Sequence, residues 1–322
     1  MDDVAVIIIG RNEGERLVRC LASIPKSVRH VVYVDSGSTD GSVAAAKAAG
    51  AEVVELDLTR PFTAARARNA GWAALDQTDS IAYLQFVDGD CEIQPEWVKT
   101  ARDFLQSSPK AAVVCGRRRE RFPDATIYNR LCDEEWDTPI GRALACGGDA
   151  MMRADAFAAV DGFDPSLIAG EEPELCLRLR QKGWEVWRID AEMTLHDAAM
   201  TRFGQFWKRA RRAGHAGAEG AAMHGKTPER HGVVPTRRAL FWGLVLPPVA
   251  LLGAIITPWA LALLLAYPAQ VLRLAKRRGL GHWFAWQDAF FLTVGKFPEA
   301  LGVLEYWWRR ITAKEKTLIE YK

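Results

Sequence analysis

The sequence predicts an α/β fold, a mostly parallel sheet with helices on both faces, followed by an apolar helical C-terminal region. Three observations predict it. Short β-branched runs alternate with helix-length segments from Val4 to Val87, the rhythm of parallel strands joined by crossover helices. Polar residues gather at the ends of those runs: Arg11 to Glu13, Asp35 and Asp88 to Asp90. In parallel sheets that edge is where ligands bind. Finally, Ala239 to Leu272 holds no charged residue over thirty-four positions.

In chain order, Val4 to Ile9 is a continuous apolar run suited to a strand buried on both faces. Asn12 to Ser23 reads as a helix with Leu17, Val18 and Leu21 on one face. His30 to Val34 is a second buried strand. The Thr39 to Ser42 segment offers helix caps, Val43 to Ala49 is the helix, and Gly50 stops it. Ala51 to Leu56 is a third strand, Thr63 to Leu75 a third helix, and Ser80 to Val87 a fourth strand. Pro95 to Gln106 reads as a helix and Ala111 to Cys115 as a strand. Phe122 to Gly141 is expected to be an acidic connection. Ala143 to Met152 reads as a Gly-containing strand and Arg153 to Val160 as a helix. Phe163 to Glu174 is expected to be a loop, Leu175 to Lys182 a short helix, and Trp184 to Ile189 a strand. No internal repeat is visible.

Composition shifts near residue 230. The division expected is 1–230 for the α/β domain and 231–322 for a membrane-associated helical region. The uncharged stretch exceeds the about 20 residues of one simple span, and Pro247-Pro248, Pro258 and Pro268 interrupt it. Basic clusters flank it at Arg237-Arg238 and at Arg273 to Arg278, which predicts that both ends lie in the cytoplasm. A helical hairpin, spanning or re-entrant, satisfies both constraints. His282 to Trp308 is aromatic but carries Asp288, Lys296 and Glu299, as an interfacial helix does. Lys208 to Arg212 reads as part of a basic amphipathic helix on anionic lipid.

The totals exclude some classes. Net charge is +2, so nucleic acid is not an expected partner. The six cysteines form no C-x-x-C pair and read as buried, reduced thiols rather than a disulfide framework. Asp2-Asp3 runs straight into a strand, so no signal peptide is expected and the first domain is read as cytoplasmic, at the cell inner membrane.

Asp88-Gly89-Asp90 follows a buried strand directly. Two carboxylates on a tight turn suit a hard divalent cation, Mn²⁺ or Mg²⁺, that also binds substrate phosphates. Taken alone, such a triplet is better explained as a solvated turn. Its context is more specific. Val6 to Glu13, Val34 to Ser42, Ala67-Arg68-Asn69-Ala70-Gly71, Asp88-Gly89-Asp90, Gly147 to Arg153 and Gly170 to Leu179 together resemble, in order and spacing, the motifs of family 2 glycosyltransferases. That family has a Rossmann-like nucleotide-sugar-binding fold called GT-A.

The resemblance implies roles. Glu13 and Asp35 would hold the nucleoside, and Arg68 the base or phosphates. Asp88 would contact ribose or metal, Asp90 the metal, and His196 would be a third metal ligand. Glu172 stands where the family pattern has an Asp that takes the acceptor's proton, one methylene longer, with Glu171 as the alternative base. A plainer reading of Glu171-Glu172 is acidic charge at a helix start. The activity implied is inverting transfer of a sugar from a UDP- or GDP-type donor to a lipid-linked or nascent polysaccharide acceptor. Processive synthesis would require more spans and a Q-x-x-R-W segment, which Gln205 to Arg209 does not supply. A membrane-anchored binding protein on a decayed fold would have lost Asp88, Asp90 or Glu172. A nucleotidyltransferase would need a Gly-rich basic loop after the first strand, and Gly10 to Gly14 is too short and acidic.

Overall fold

The computed structural model describes residues 1–75 and 81–312. Ser80, the expected start of the fourth strand, and the last ten residues of the expected membrane-associated region lie outside the described residues. The chain forms two compact units, Met1–Ala199 and Met200–Lys322.

The first unit begins with β1 (Val4–Gly10), α1 (Glu15–Ser23), β2 (His30–Asp35), α2 (Ser42–Ala48), β3 (Glu52–Glu55), α3 (Ala64–Ala74) and β4 (Tyr83–Asp88). It continues with β5 (Cys91–Ile93), α4 (Trp97–Ser107), β6 (Ala111–Glu120), α5 (Ile127–Glu135), β7 (Gly141–Ala143), β8 (Ala150–Arg153), α6 (Ala154–Ala158), α7 (Glu171–Gln181) and β9 (Glu185–His196). The strand order is β3-β2-β1-β4-β8-β6-β9-β5, with β7 also on β9. The β1–β4 strands are mutually parallel, as are β6 and β9, while β8, β5 and β7 run against their neighbours. Every residue of β1 from Val4 to Ile9 is buried, as a strand covered on both faces requires.

Five expectations change. Helix α1 starts at Glu15 because Asn12 and Gly14 take positive φ, a turn rather than a helix. The connection Phe122 to Gly141 contains α5, capped by Thr126, whose side chain accepts from the Asn129 amide. Helix α7 starts at Glu171, four residues before the predicted start, after Gly170 in the left-handed region. The final strand runs on to His196, and the single strand expected over Ala143 to Met152 is two, β7 and β8, with a loop between. Pairing explains the longer final strand: β5 and β6 extend the β9 ladder past the apolar run that marked it in sequence.

The second unit holds α8 (Phe203–His224), α9 (Val233–Leu240), α10 (Leu246–Ile256), α11 (Ala266–Arg278), α12 (Trp283–Val294) and α13 (Lys296–Thr312). A π-helical turn, Phe241–Val245, joins α9 to α10, where Pro247 and Pro248 remove the amides a regular helix would need. A 3₁₀ segment, Pro258–Leu265, leads into α11. Two helical stretches are long and apolar enough to cross a membrane, Val233–Ile256 and Pro258–Arg278, and the break between them is the extended Thr257. Helices α8 and α13 meet backbone to backbone: a Cβ on Gly302 would lie 2.0 Å from the Arg211 carbonyl oxygen, and one on Gly214 as close to that of Glu299.

Candidate active site

The site forms at the carboxyl ends of β1, β2 and β4, where Gly10 pairs with Asp35 and Ile9 with Asp88. The turns after β1 and β2 lock each other. The Asn12 Oδ1 accepts from the Thr39 amide at 2.7 Å, the Ser38 hydroxyl accepts from the Asn12 amide at 2.9 Å, and Asp40 accepts from the Gly14 amide at 3.1 Å. Asp35 is buried. Its Oδ2 accepts from the Gly37 and Ser38 amides at 2.9 and 2.8 Å, and its Oδ1 accepts from the Tyr33 hydroxyl at 3.0 Å. Asp35 thus shapes the Ser36–Ser38 turn. Burial and the Asp35 carboxylate push the Tyr33 phenol well above its usual range, so it stays a donor. Glu13 pairs with Arg16 at 2.7 Å and lies against Gly89, where a Cβ would stand 3.3 Å from its Cγ.

Arg68 is the hub. It comes from α3, whose cap Thr63 accepts from the Arg66 amide, and it is 2% exposed. Its Nη2 meets Asp88 at 2.9 Å, and its Nη1 meets Glu171 at 2.9 Å and Glu172 at 3.1 Å. One guanidinium therefore gathers three carboxylates from β4 and the first turn of α7, and an arginine's planar fork suits that task. Removing it would leave Glu171 and Glu172 facing each other without the cation that pairs them, while Asp88 would keep Arg118.

Glu172 has its pKa raised to about 7, by burial first and by the neighbouring Glu171 second, against the pull of Arg68. That value matches a general base working near neutrality. Above these groups lies Gly148. A Cβ there would come within 2.7 Å of Arg68, 2.9 Å of Asp88 and 3.2 Å of Glu172, so glycine leaves that space open.

Asp90 and His196 meet on the other side of Asp88. His196 Nε2 lies 3.1 Å from Asp90 Oδ2, because β5 pairs Cys91 with His196. Burial, with Arg118 next, holds the His196 pKa down to about 4, so near pH 7 the ring is neutral and the contact is not an ion pair. Asp90, Cys91 and His196 bring ligand atoms within 4.8 Å of one another, as do Asp88, Cys91 and Asp149. The carboxylates and a neutral imidazole fit Mn²⁺ or Mg²⁺. Burial raises the Cys91 thiol well above its usual range, leaving it a poor ligand.

The sequence singled out Glu13, Asp35, Arg68, Asp88, Asp90, Glu171, Glu172 and His196. The structure joins Arg68, Asp88, Glu171 and Glu172 in one ion-pair network and sets Asp90 with His196 beside it. Three further side chains escaped. Arg118 from β6 binds Asp88 at 3.0 Å and Asp149 at 2.8 Å. Asp149, fully buried, accepts from the Asp88 amide at 3.1 Å and the Thr194 hydroxyl at 2.7 Å. Trp136 lies 5.2 Å from the Arg118 guanidinium and 4.7 Å from the His196 ring. Asp149, in the Gly-Gly-Asp motif, was the one with a sequence signal.

Residues 5–160 match the sequence profile described as Glycosyl transferase family 2. The glycosyltransferase AglE of Haloferax volcanii is 26% identical over 224 residues, 66% of this chain and 71% of that protein. A TPR repeat-containing protein of Synechococcus elongatus is 32% identical over 131 residues, 41% of this chain and only 31% of that protein. Among solved structures, the mannosyltransferase PcManGT from Pyrobaculum calidifontis, in complex with GDP-Man and Mn²⁺, superposes with a TM-score of 0.61 at 19% identity, over 94% of this chain and 87% of that one. At that identity the likeness is one of fold, the GT-A fold.

Proposed function

Through residues 5–160 the chain belongs to glycosyltransferase family 2, and on that premise we propose that it transfers a sugar, with inversion, from a UDP- or GDP-type donor to a lipid-linked or nascent polysaccharide acceptor at the cytoplasmic face of the cell inner membrane. The observation that carries the reading is the network on Arg68, which sets a carboxylate titrating near neutrality, Glu172, beside Asp88 at the sheet's ligand-binding edge. The GDP-Man and Mn²⁺ held by the PcManGT structure support a nucleoside-diphosphate donor and a divalent cation here.

In this reading the locked turns of Asn12–Gly14 and Ser36–Asp40 hold the nucleoside, with Asp35 acting through the turn it builds and Glu13 beside it. Asp90, Asp88 and His196 would hold Mn²⁺ or Mg²⁺, which would supply positive charge against the departing diphosphate. Arg118 and Asp149 fix Asp88 from behind. Glu172 takes the proton from the acceptor hydroxyl as that oxygen attacks the anomeric carbon opposite the leaving group. Glu171, paired with Arg68 through Oε1, tunes Glu172. The apolar stretches Val233–Ile256 and Pro258–Arg278 support an acceptor carried in the membrane.

The test is donor hydrolysis and transfer by purified protein across UDP- and GDP-sugars, with Mn²⁺, Mg²⁺ or chelator. Turnover of one donor, abolished by chelator, is expected. Turnover of none, or indifference to chelator, removes the reading.

A further inference from the structure

Two thiols face each other beside the site. Cys146 lies in the loop 144–149 between β7 and β8, and Cys176 lies on α7. Their Sγ atoms are 3.6 Å apart, and both are buried and free. The other site-side cysteines contact oxygens instead: Cys91 the Asp90 carboxylate, Cys20 the Asp88 carbonyl, Cys115 the Trp187 carbonyl. Each member of the pair is also tied to the site. Cys146 precedes Gly148 by two residues, and Cys176 follows Glu172 by one helical turn.

We propose that Cys146 and Cys176 form a reversible oxidation site, closed to a disulfide by a small-molecule disulfide of the glutathione class, and that closure shifts the Gly148 loop against Arg68, Asp88 and Glu172. The effect on transfer, but not the bond itself, rests on the proposed function.

The partners differ in mobility. Cys176 sits in a helical turn buried all round, with Leu175, Leu177 and Leu179 also buried. Cys146 sits where strand pairing has stopped at Ala143 and has not resumed until Ala150, next to Leu144, which is 72% exposed. The loop side is therefore the one that opens and moves. The contact with Cys176, and burial, hold the Cys146 thiol well above its usual pKa in the closed loop, so it loses its proton to water only as the loop opens. Its thiolate then attacks one sulfur of the oxidant and releases the other half as a thiolate. Cys176 then attacks the Cys146 sulfur and releases the second half. Two thiols are oxidised by two electrons, and one small disulfide is reduced to two thiols. A disulfide needs about 2.05 Å between sulfurs, so closure draws them together by about 1.5 Å. Gly148 faces Arg68 and Asp88 across a space too small for even a methyl group, and a 1 Å misplacement at a reacting centre costs on the order of 10²-fold in rate.

The test treats the full chain with glutathione disulfide and maps its peptides without reduction. A Cys146–Cys176 link is expected, reversed by dithiothreitol, with altered hydrogen exchange at residues 144–149 and transfer falling about tenfold or more and recovering on reduction. Cys146→Ser should neither link nor lose activity on treatment. Cys176→Ser should trap glutathione on Cys146, which keeps the proposal testable if one variant folds poorly. Links among other cysteines, a glutathione adduct without the link in the native chain, or a link that changes neither exchange nor transfer would overturn it. If no donor turns over at all, mapping and exchange still decide the switch, and only the proposed function fails.

Discussion

Glu172 shares its surroundings with one cation and two acids. Arg68 at 3.1 Å favours its charge, while burial and Glu171 disfavour it and win, leaving its pKa at about 7 instead of 4.5. Two outcomes follow. Transfer should rise about tenfold per pH unit below 7 and level off above it, because a base must be ionised to act; a flat profile from pH 5.5 to 8 would move the base elsewhere. Because the folded value is raised, the fold holds this proton more tightly than the unfolded chain does, so Glu172 costs stability as pH climbs from about 4.5 to 7. Glu172→Gln should keep donor binding, read by calorimetry, and lose transfer by about 10²–10⁴-fold. Near-normal transfer would point to Glu171. The motif spacing exposed Glu172 and Arg68 but not their contact. Arg118 stayed invisible because it belongs to a run of three arginines, Arg117 to Arg119, of which only the fold selects one.

Helix α3 shows how an element positions the site. Gly71 lies against β1 and β2: a Cβ there would fall 2.4 Å from Ile7 Cγ2 and 3.0 Å from Val34 Cγ2. That close approach holds Arg68, one turn earlier, over the strand ends. Gly71→Ala should therefore lower stability by about 1–3 kcal/mol through overpacking, seen as a lower urea midpoint, and an unchanged midpoint would mean the helix has room to slide. The strand rhythm up to β4 was legible because β1, β2 and β4 are buried over most of their length and read as apolar runs. It failed at α5, whose acidic, polar surface resembles a connection, and at β9, whose outer half is polar yet held by neighbouring strands. The start of α7 hid behind Pro173, which suits the first turn as well as a loop.

On the scale of the whole chain, residues 5–160 carry the family match, the compact units divide at Ala199 and Met200, and the uncharged stretch falls wholly in the second. The full chain should float with lipid vesicles and resist release by high salt or alkaline carbonate, as a membrane-inserted hairpin does. Release by salt alone would mean that the basic clusters, and not the apolar helices, hold it to lipid. By itself the sequence determined the α/β rhythm, the position of the acidic turn, and the apolar stretch of Ala239 to Leu272, since each is a local pattern of polarity along the chain. Only the tertiary structure decided which charges meet. It chose Arg118 among neighbours, made Asp149 the buried support of Asp88, set His196 against Asp90 across the β5–β9 ladder, and brought Cys146 to Cys176. Those pairings join residues far apart in the chain, and the sheet register that aligns them is fixed by packing over all nine strands.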